Sequence, residues 1–344
     1  MKKPLRWVAL PLALCLLAGC AAAPAATSDG PRRYEASFLD VFDTVTTILG
    51  YAEDEETFRA RAQEVHDELL SYHQLFDIYN DYDGINNLKT VNDNAGVAPV
   101  EVDPAIVDLL TDCKDLYDTT SGRVNVAMGS VLALWHDARE LAVNDPERAA
   151  LPDAAALEEA AGHTDLSQVV IDEAASTVYL PDPAMRLDVG AVAKGWSVER
   201  VCEDAPEGRL LSVGGNGRAT GPKADGTAWV AGVQDPDGGA YLCTVEVRDV
   251  SVVTSGDYQR YFTVDGIRYH HIIDPDTLYP AQYWRSVTIL CADSGLADAL
   301  STALFTLPQA EGQALLDACG AEALWMDLEG NLLKSPGFDN YLRT

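Results

Sequence analysis

The chain has 344 residues, with 54 acidic side chains against 24 basic ones and a formal net charge of −30. That length is enough for one large domain or two ordinary ones. So acidic a chain lacks the basic footprint that neutralises nucleic-acid phosphates, which argues against a nucleic-acid partner. At 47% hydrophobic and 23% charged residues, the composition is that of a globular protein.

The N-terminus reads as a targeting segment. Lys2, Lys3 and Arg6 precede an apolar run from Trp7 to Leu17, followed by Leu17-Ala18-Gly19-Cys20. The run has signal-peptide length and is short for a membrane span. Its end resembles the lipobox of bacterial lipoproteins, which implies cleavage before Cys20 and lipidation of that thiol. An ordinary secreted protein with an incidental Cys20 is the alternative. Residues 1–19 are then the signal, residues 20–33 a small, polar, Pro-containing tether, and residues 34–344 a single unit with no Pro/Gly linker to divide it. The remaining cysteines (Cys113, Cys202, Cys243, Cys291 and Cys319) are far apart, form no CxxC and read as single buried thiols.

In chain order, residues 38–51 alternate and are β-branched, which predicts a strand. Phe58, Ala62, Val65 and Leu69 recur at helical spacing and predict a helix over 53–75. Asp103 and Pro104 are an N-cap and a first helical residue for a helix over 104–117. Residues 153–162 read as helical, and 168–180 as two β-rich runs around a turn. A strand ending at Asp188 and the Gly190 turn lead into a helix over 194–202. Strands follow over 209–215, 228–233, 241–247, 259–264 and 285–291. An amphipathic helix covers 294–307 and is closed by Pro308. This pattern is α+β, with mixed or antiparallel sheets and packed helices.

Four segments offer chemistry. In 186-RLDVGAVAKGW-196, a carboxylate, a bare backbone turn and Lys194 meet at a helix start, a favourable place for a nucleotide; a plain strand–turn–helix connection is the alternative. In 212-SVGGNGRATG-221 the glycines allow close backbone approach, but no helix follows, so this is not a dinucleotide fingerprint. Residues 254-TSGDYQRYF-262 and 268-RYHHIIDP-275 flank a Val264-Asp265-Gly266 turn and pair as a hairpin. Strand alternation separates His270 from His271 and weakens a two-histidine metal site. One histidine beside Ser255 and Asp257 suits proton transfer. In 297-ADALSTAL-304, Asp298 and Thr302 are one helical turn apart and offer hard oxygens for Mg²⁺.

Taken in this order, the four segments resemble the ApbE family, the FAD:protein FMN transferases. The similarity extends to FDTVTTI, the Tyr79 region with 86-NNLKTVNDNAG-96, and 121-SGRVNVAMGSVLALW-135. The resemblance implies an ApbE-like (T-fold-like) unit that splits FAD and transfers FMN through its phosphate to a Thr or Ser hydroxyl of a target protein, with AMP leaving and Mg²⁺ assisting. It implies that Asp188 and Lys194 contact FAD. It assigns the Ala191 carbonyl, Asp298 and Thr302 to Mg²⁺, and Tyr79, Arg123, Val124, Asn125 and the backbone at Ile272 to the flavin or adenine side. His271 becomes the base for the acceptor hydroxyl, and His270 a surface or packing residue. The chain departs from the family in having Asn125 and Asn216 where Asp is common, and Leu278 where Gly is common.

The expected substrate is FAD, the expected partner an extracytoplasmic acceptor protein, and the expected location the outer face of a bacterial membrane, held by the lipid on Cys20. Two other readings remain: an Mg²⁺-dependent FAD pyrophosphatase that uses the same residues, and a non-catalytic flavin-binding lipoprotein, against which intact Asp298, Thr302, Lys194 and His271 argue.

Overall fold

Val252 and Val253, Leu290 and Ile289, and Leu324 and Ala323 are adjacent pairs whose members serve different cores. Side chains on a strand alternate between faces, so each pair marks a strand buried on both sides. In the computed structural model, which describes residues 30–203 and 205–343, these residues lie on three adjacent inner strands of one large sheet.

The chain opens with β1 (Arg32–Val41) and β2 (Thr44–Ala52), then α1 (Glu55–Phe76), α2 (Leu88–Asp93), β3 (Val100–Glu101), α3 (Pro104–Thr119), α4 (Gly129–Asn144), α5 (Ala154–Ala161), β4 (Val170–Asp172) and β5 (Thr177–Tyr179). It continues through α6 (Ala193–Glu203), β6 (Arg209–Val213), β7 (Asn216–Thr220), β8 (Trp229–Val233), β9 (Cys243–Val247), β10 (Ser251–Gly256), β11 (Tyr261–Val264) and β12 (Ile267–His270). It ends with β13 (Trp284–Cys291), α7 (Ser294–Phe305), α8 (Gln309–Cys319), β14 (Glu322–Asp327) and β15 (Leu332–Lys334).

Eight strands form one sheet in the order β1-β2-β6-β7-β10-β13-β14-β15, and every ladder in it is antiparallel. Helices α1, α6 and α7 pack on one face. The β8–β9 pair covers the other, where Trp229, Val233, Val245 and Val247 join Phe338 in a separate core. The α+β class with antiparallel sheets is as the sequence predicts.

Several boundaries differ from expectation. Residues 38–51 are two strands, because Phe42 and Asp43 both have φ 53° and turn the chain back as a hairpin. The first of these strands starts at Arg32, inside the stretch read as tether. The expected strand ending at Asp188 is extended chain with a single bridge, Met128 to Arg186. Its pairing comes from a side chain: Asn92 donates Nδ2–H to the Leu187 carbonyl at 2.9 Å and accepts from the Leu187 N–H at 2.7 Å. Helices α2, α4 and α8 and strands β14 and β15 carry no clear local signal. Neither α4 nor α8 has a side-chain N-cap, and α2 is six residues long. The five cysteines from Cys113 onward are all free thiols; Cys113, Cys202 and Cys291 are buried, Cys243 and Cys319 half-buried. The signal segment and Cys20 lie outside the described residues. Among those described, no helix is long and apolar enough to cross a membrane.

The two helices beneath the site touch at Gly195. A Cβ added there would stand 2.3 Å from the Ser294 carbonyl oxygen and 2.4 Å from Asp298 Cβ. A second tie holds the crossing: the Ser294 N–H donates to Glu199 Oε2 at 2.7 Å. Gly195→Ala should therefore push α6 off α7 and lower stability by about 1–3 kcal/mol. Urea unfolding measures this, and an unchanged midpoint would mean that the helices separate freely.

Candidate active site

A cavity of about 790 Å³ opens where the ends of these elements converge, a size typical of small-molecule sites. Its wall takes residues from the β1–β2 turn, the segment after α1, α4, the start of α6, the β6–β7 turn, the loop after β10, the end of β12 and α7. Tyr79, Arg123, Val124, Asn125, Asp188, Ala191, Lys194, His271, Ile272, Asp298 and Thr302 all line it. The structure thus brings together residues separated by more than two hundred positions.

The α6 end of the cavity is built around one hydrogen bond between helices. Gly195 is the third residue of α6, so its N–H is one of the first-turn donors without a partner inside the helix. It donates to Asp298 Oδ2, at 2.8 Å. Among the described residues no backbone N–H reaches the Ala191 oxygen, so that carbonyl keeps its lone pairs at the cavity wall. Asp298 is nearly buried, with Lys194 Nζ at 3.7 Å from its Oδ2. Thr302 follows one turn later on α7. Asp188 accepts from the Gly190 N–H at 2.9 Å, and burial pushes its carboxyl up from the usual range.

The two histidines have opposite surroundings. His270 is 7% exposed; its Nε2–H donates to the Ala281 carbonyl at 2.8 Å and its Nδ1 accepts from the Ile272 N–H at 3.2 Å. Both nitrogens are used by the backbone, so His270 packs. Strand β12 ends there, and His271 lies just past it. The His271 Nδ1 is 3.2 Å from the Arg260 carbonyl. A carbonyl only accepts, so Nδ1 carries the hydrogen and Nε2 presents its lone pair. Burial, then Arg260, His270 and Lys194, push its pKa down to about 3, leaving the imidazole neutral. The expected Ser255–Asp257–histidine grouping does not form around it. Asp257 faces Arg268 at 3.6 Å and Arg285 at 3.9 Å, and Ser255 bonds Ser301 at 2.7 Å.

On the other side, Tyr79 is 56% exposed and stacks on His136 with centroids 4.7 Å apart. Arg123 reaches Asp274 at 3.2 Å and Asp276 at 2.7 Å, so its guanidinium is spent on the 274–280 turn. Asn125 donates to the Thr164 carbonyl at 2.8 Å and accepts from the Ala127 N–H at 2.9 Å; an aspartate could not make the first bond. Leu278 sits at φ 62°, the left-handed region that explains why glycine suits this position. Its carbonyl accepts the Trp135 indole N–H at 2.9 Å. Sequence reasoning missed His136 and Arg139, which sit on the unassigned α4, as well as Tyr258 and Arg260, which also line the cavity. For the first pair the signal was absent; for the second it lay inside the quoted TSGDYQRYF segment.

The cavity suits a polar, anionic ligand. Asn216 Nδ2 and Tyr258 Oη are buried in its wall without a hydrogen-bond partner, a costly state that a polar ligand relieves. The unpaired Ala191 carbonyl, the Asp298 carboxylate and the Thr302 hydroxyl form a donor set of hard oxygens, which fits Mg²⁺.

Residues 42–325 match the ApbE family model. A FAD:protein FMN transferase of Treponema pallidum is 37% identical over 277 residues, spanning 74% of this chain and 75% of that one. One from Klebsiella pneumoniae is 33% identical over 264 residues, spanning 73% and 79%. The crystal structure of the ApbE protein of Thermotoga maritima superposes with a TM-score of 0.81 at 30% identity, over 91% of this chain and all of that one. With the family model spanning most of its length and the same fold in a solved member, the chain belongs to the ApbE family.

Proposed function

We propose that the chain is an FAD:protein FMN transferase that moves FMN, through its phosphate, onto a Thr or Ser hydroxyl of an acceptor protein and releases AMP. The observation that carries this is the meeting, in one cavity wall, of a backbone carbonyl at Ala191 that has no backbone donor among the described residues, a buried carboxylate at Asp298 and a lysine at Lys194. The relatives named as FAD:protein FMN transferases support the reaction class. Removal of residues 1–19 and lipidation of Cys20 would place the enzyme on the outer face of a bacterial membrane, with an extracytoplasmic acceptor.

In this reaction the acceptor hydroxyl oxygen bonds to the FMN phosphorus. The phosphorus–oxygen bond to the adenylate half breaks, and its electron pair leaves on AMP. His271 Nε2 takes the hydroxyl proton, which it can do because it is neutral. Lys194 and the α6 N-terminus hold the pyrophosphate. The Ala191 carbonyl, Asp298 and Thr302 would hold Mg²⁺, which when bound neutralises phosphate charge. Tyr79 and His136 offer a flat face for a ring system.

Purified enzyme with FAD, Mg²⁺ and a cognate acceptor should add the mass of FMN minus water to the acceptor. AMP without acceptor labelling would favour the pyrophosphatase, and no AMP the binding module. Asp298→Ala should cut Mg²⁺-dependent turnover by on the order of 100-fold or more; unchanged turnover would remove Asp298 from the metal. His271→Gln should slow transfer by ~10²–10⁴-fold with FAD binding retained. His270→Gln should chiefly cost stability, about 1–3 kcal/mol, since it leaves buried backbone groups unpaired.

His271 also sets a pH dependence. Its folded pKa lies at about 3, below the ordinary histidine value of 6.5. The unfolded chain therefore takes up this proton first as pH falls, and the stability present above pH 6.5 is lost toward pH 3. Denaturation midpoints over that window should fall less steeply for His271→Gln than for the wild type; parallel profiles would show that His271 titrates as in the unfolded chain.

A further inference from the structure

Four lysine or arginine side chains line the cavity: Arg123, Arg139, Lys194 and Arg260. Three have carboxylate partners. Arg123 pairs with Asp274 and Asp276, Arg139 approaches Glu140 at 3.6 Å, and Lys194 faces Asp298 at 3.7 Å. Among the described residues, Arg260 has no carboxylate within ion-pair distance. The neighbouring arginines are also taken, Arg268 by Asp257 and Arg285 by Asp237 at 2.7 Å. In a chain with 54 acids and 24 bases, a guanidinium left unpaired beside a cavity is informative.

Its backbone is held firmly. The Arg260 carbonyl accepts the His271 N–H at 3.1 Å and the Nδ1–H at 3.2 Å. The next residue, Tyr261, pairs with His270 in the β11–β12 ladder, and Arg268 covers its ring at 4.3 Å. The side chain itself is exposed. A fixed base with a free charged end is suited to closing on a ligand.

We propose that Arg260 grips the pyrophosphate of FAD as a second cation alongside Lys194, an inference that rests on the FAD-dependent function above. The charges make the case. Lys194 shares its charge with Asp298, so without Mg²⁺ it undercompensates a doubly charged pyrophosphate. A guanidinium fork matches phosphate oxygens in a way that an ammonium does not. Both Arg260 and Lys194 act to hold His271 below its ordinary range. An anion bound against them cancels that effect, so His271 becomes a better proton acceptor only once substrate is seated.

The test is fluorescence titration of FAD and of riboflavin, which has no phosphate, into the wild type, Arg260→Gln and Arg260→Lys. Arg260→Gln should weaken FAD binding ~10–100-fold, the loss of one charge-assisted contact, and leave riboflavin affinity unchanged. Arg260→Lys should recover part of the loss. The fall in FAD affinity with added salt should be shallower for Arg260→Gln than for the wild type. Because the side chain is exposed, the thermal midpoint should not move. Equal losses for FAD and riboflavin, or no loss for either, would overturn the proposal. Transfer activity is read separately. A wild type that binds FAD but labels no acceptor overturns the transferase function and leaves this contact standing, whereas one that binds neither flavin overturns both.

Discussion

The site depends on a single N–H. Gly195 can lie against Asp298 only because it has no side chain, and once there its amide donates to the carboxylate. One contact therefore does two things. It satisfies a buried carboxylate that would otherwise be costly and locks α6 to α7, while the Ala191 carbonyl just before the helix has no backbone donor among the described residues. The hard-oxygen corner of the cavity thus rests on helix packing, and the lysine one residue before the glycine is aimed by the same crossing.

The adjacent histidines show how little is needed to divide roles. His270 and His271 share a sequence context, yet one spends both ring nitrogens on backbone groups and the other only one. That unspent Nε2 is what makes His271 a candidate base. The surrounding charge is similarly economical. In a strongly acidic chain, the basic side chains at the cavity are rationed between holding the turn after β12 (Arg123), partnering Asp298 (Lys194) and standing free (Arg260).

Much of this was legible in the sequence, because several signals were local. The N-cap Asp103 accepts from the Ala105 N–H as its position predicts. The Asp265-Gly266 turn forms, with both residues at positive φ. The spacing of Asp298 and Thr302 places both at the cavity. What was not legible depends on distant partners. Helix α4 starts without a capping side chain, so nothing nearby announces the His136 and Arg139 it supplies. Phe42 adopts a conformation that glycine would favour, which hid a hairpin inside one alternating run. The extended segment before Asp188 is held by an asparagine ninety-five positions away. The histidine set beside Ser255 and Asp257 was also misjudged, since the exposed Arg268 and half-buried Arg285 that face Asp257 come from other strands.

Leu278 follows the same logic in folding. An isolated leucine visits the left-handed basin at a cost of roughly 1–2 kcal/mol, so the 274–280 turn is a poor choice for the free chain. What offsets that cost is the indole of Trp135 on its carbonyl and a shared apolar cluster with α4 and the β11–β12 hairpin. The turn becomes favourable only after α4 has docked. A glycine there would adopt this conformation without that cost; leucine needs the tertiary contacts to hold it. The turn beside His271 and Ile272 therefore owes its conformation to the surrounding tertiary structure, through Trp135 and the shared apolar cluster.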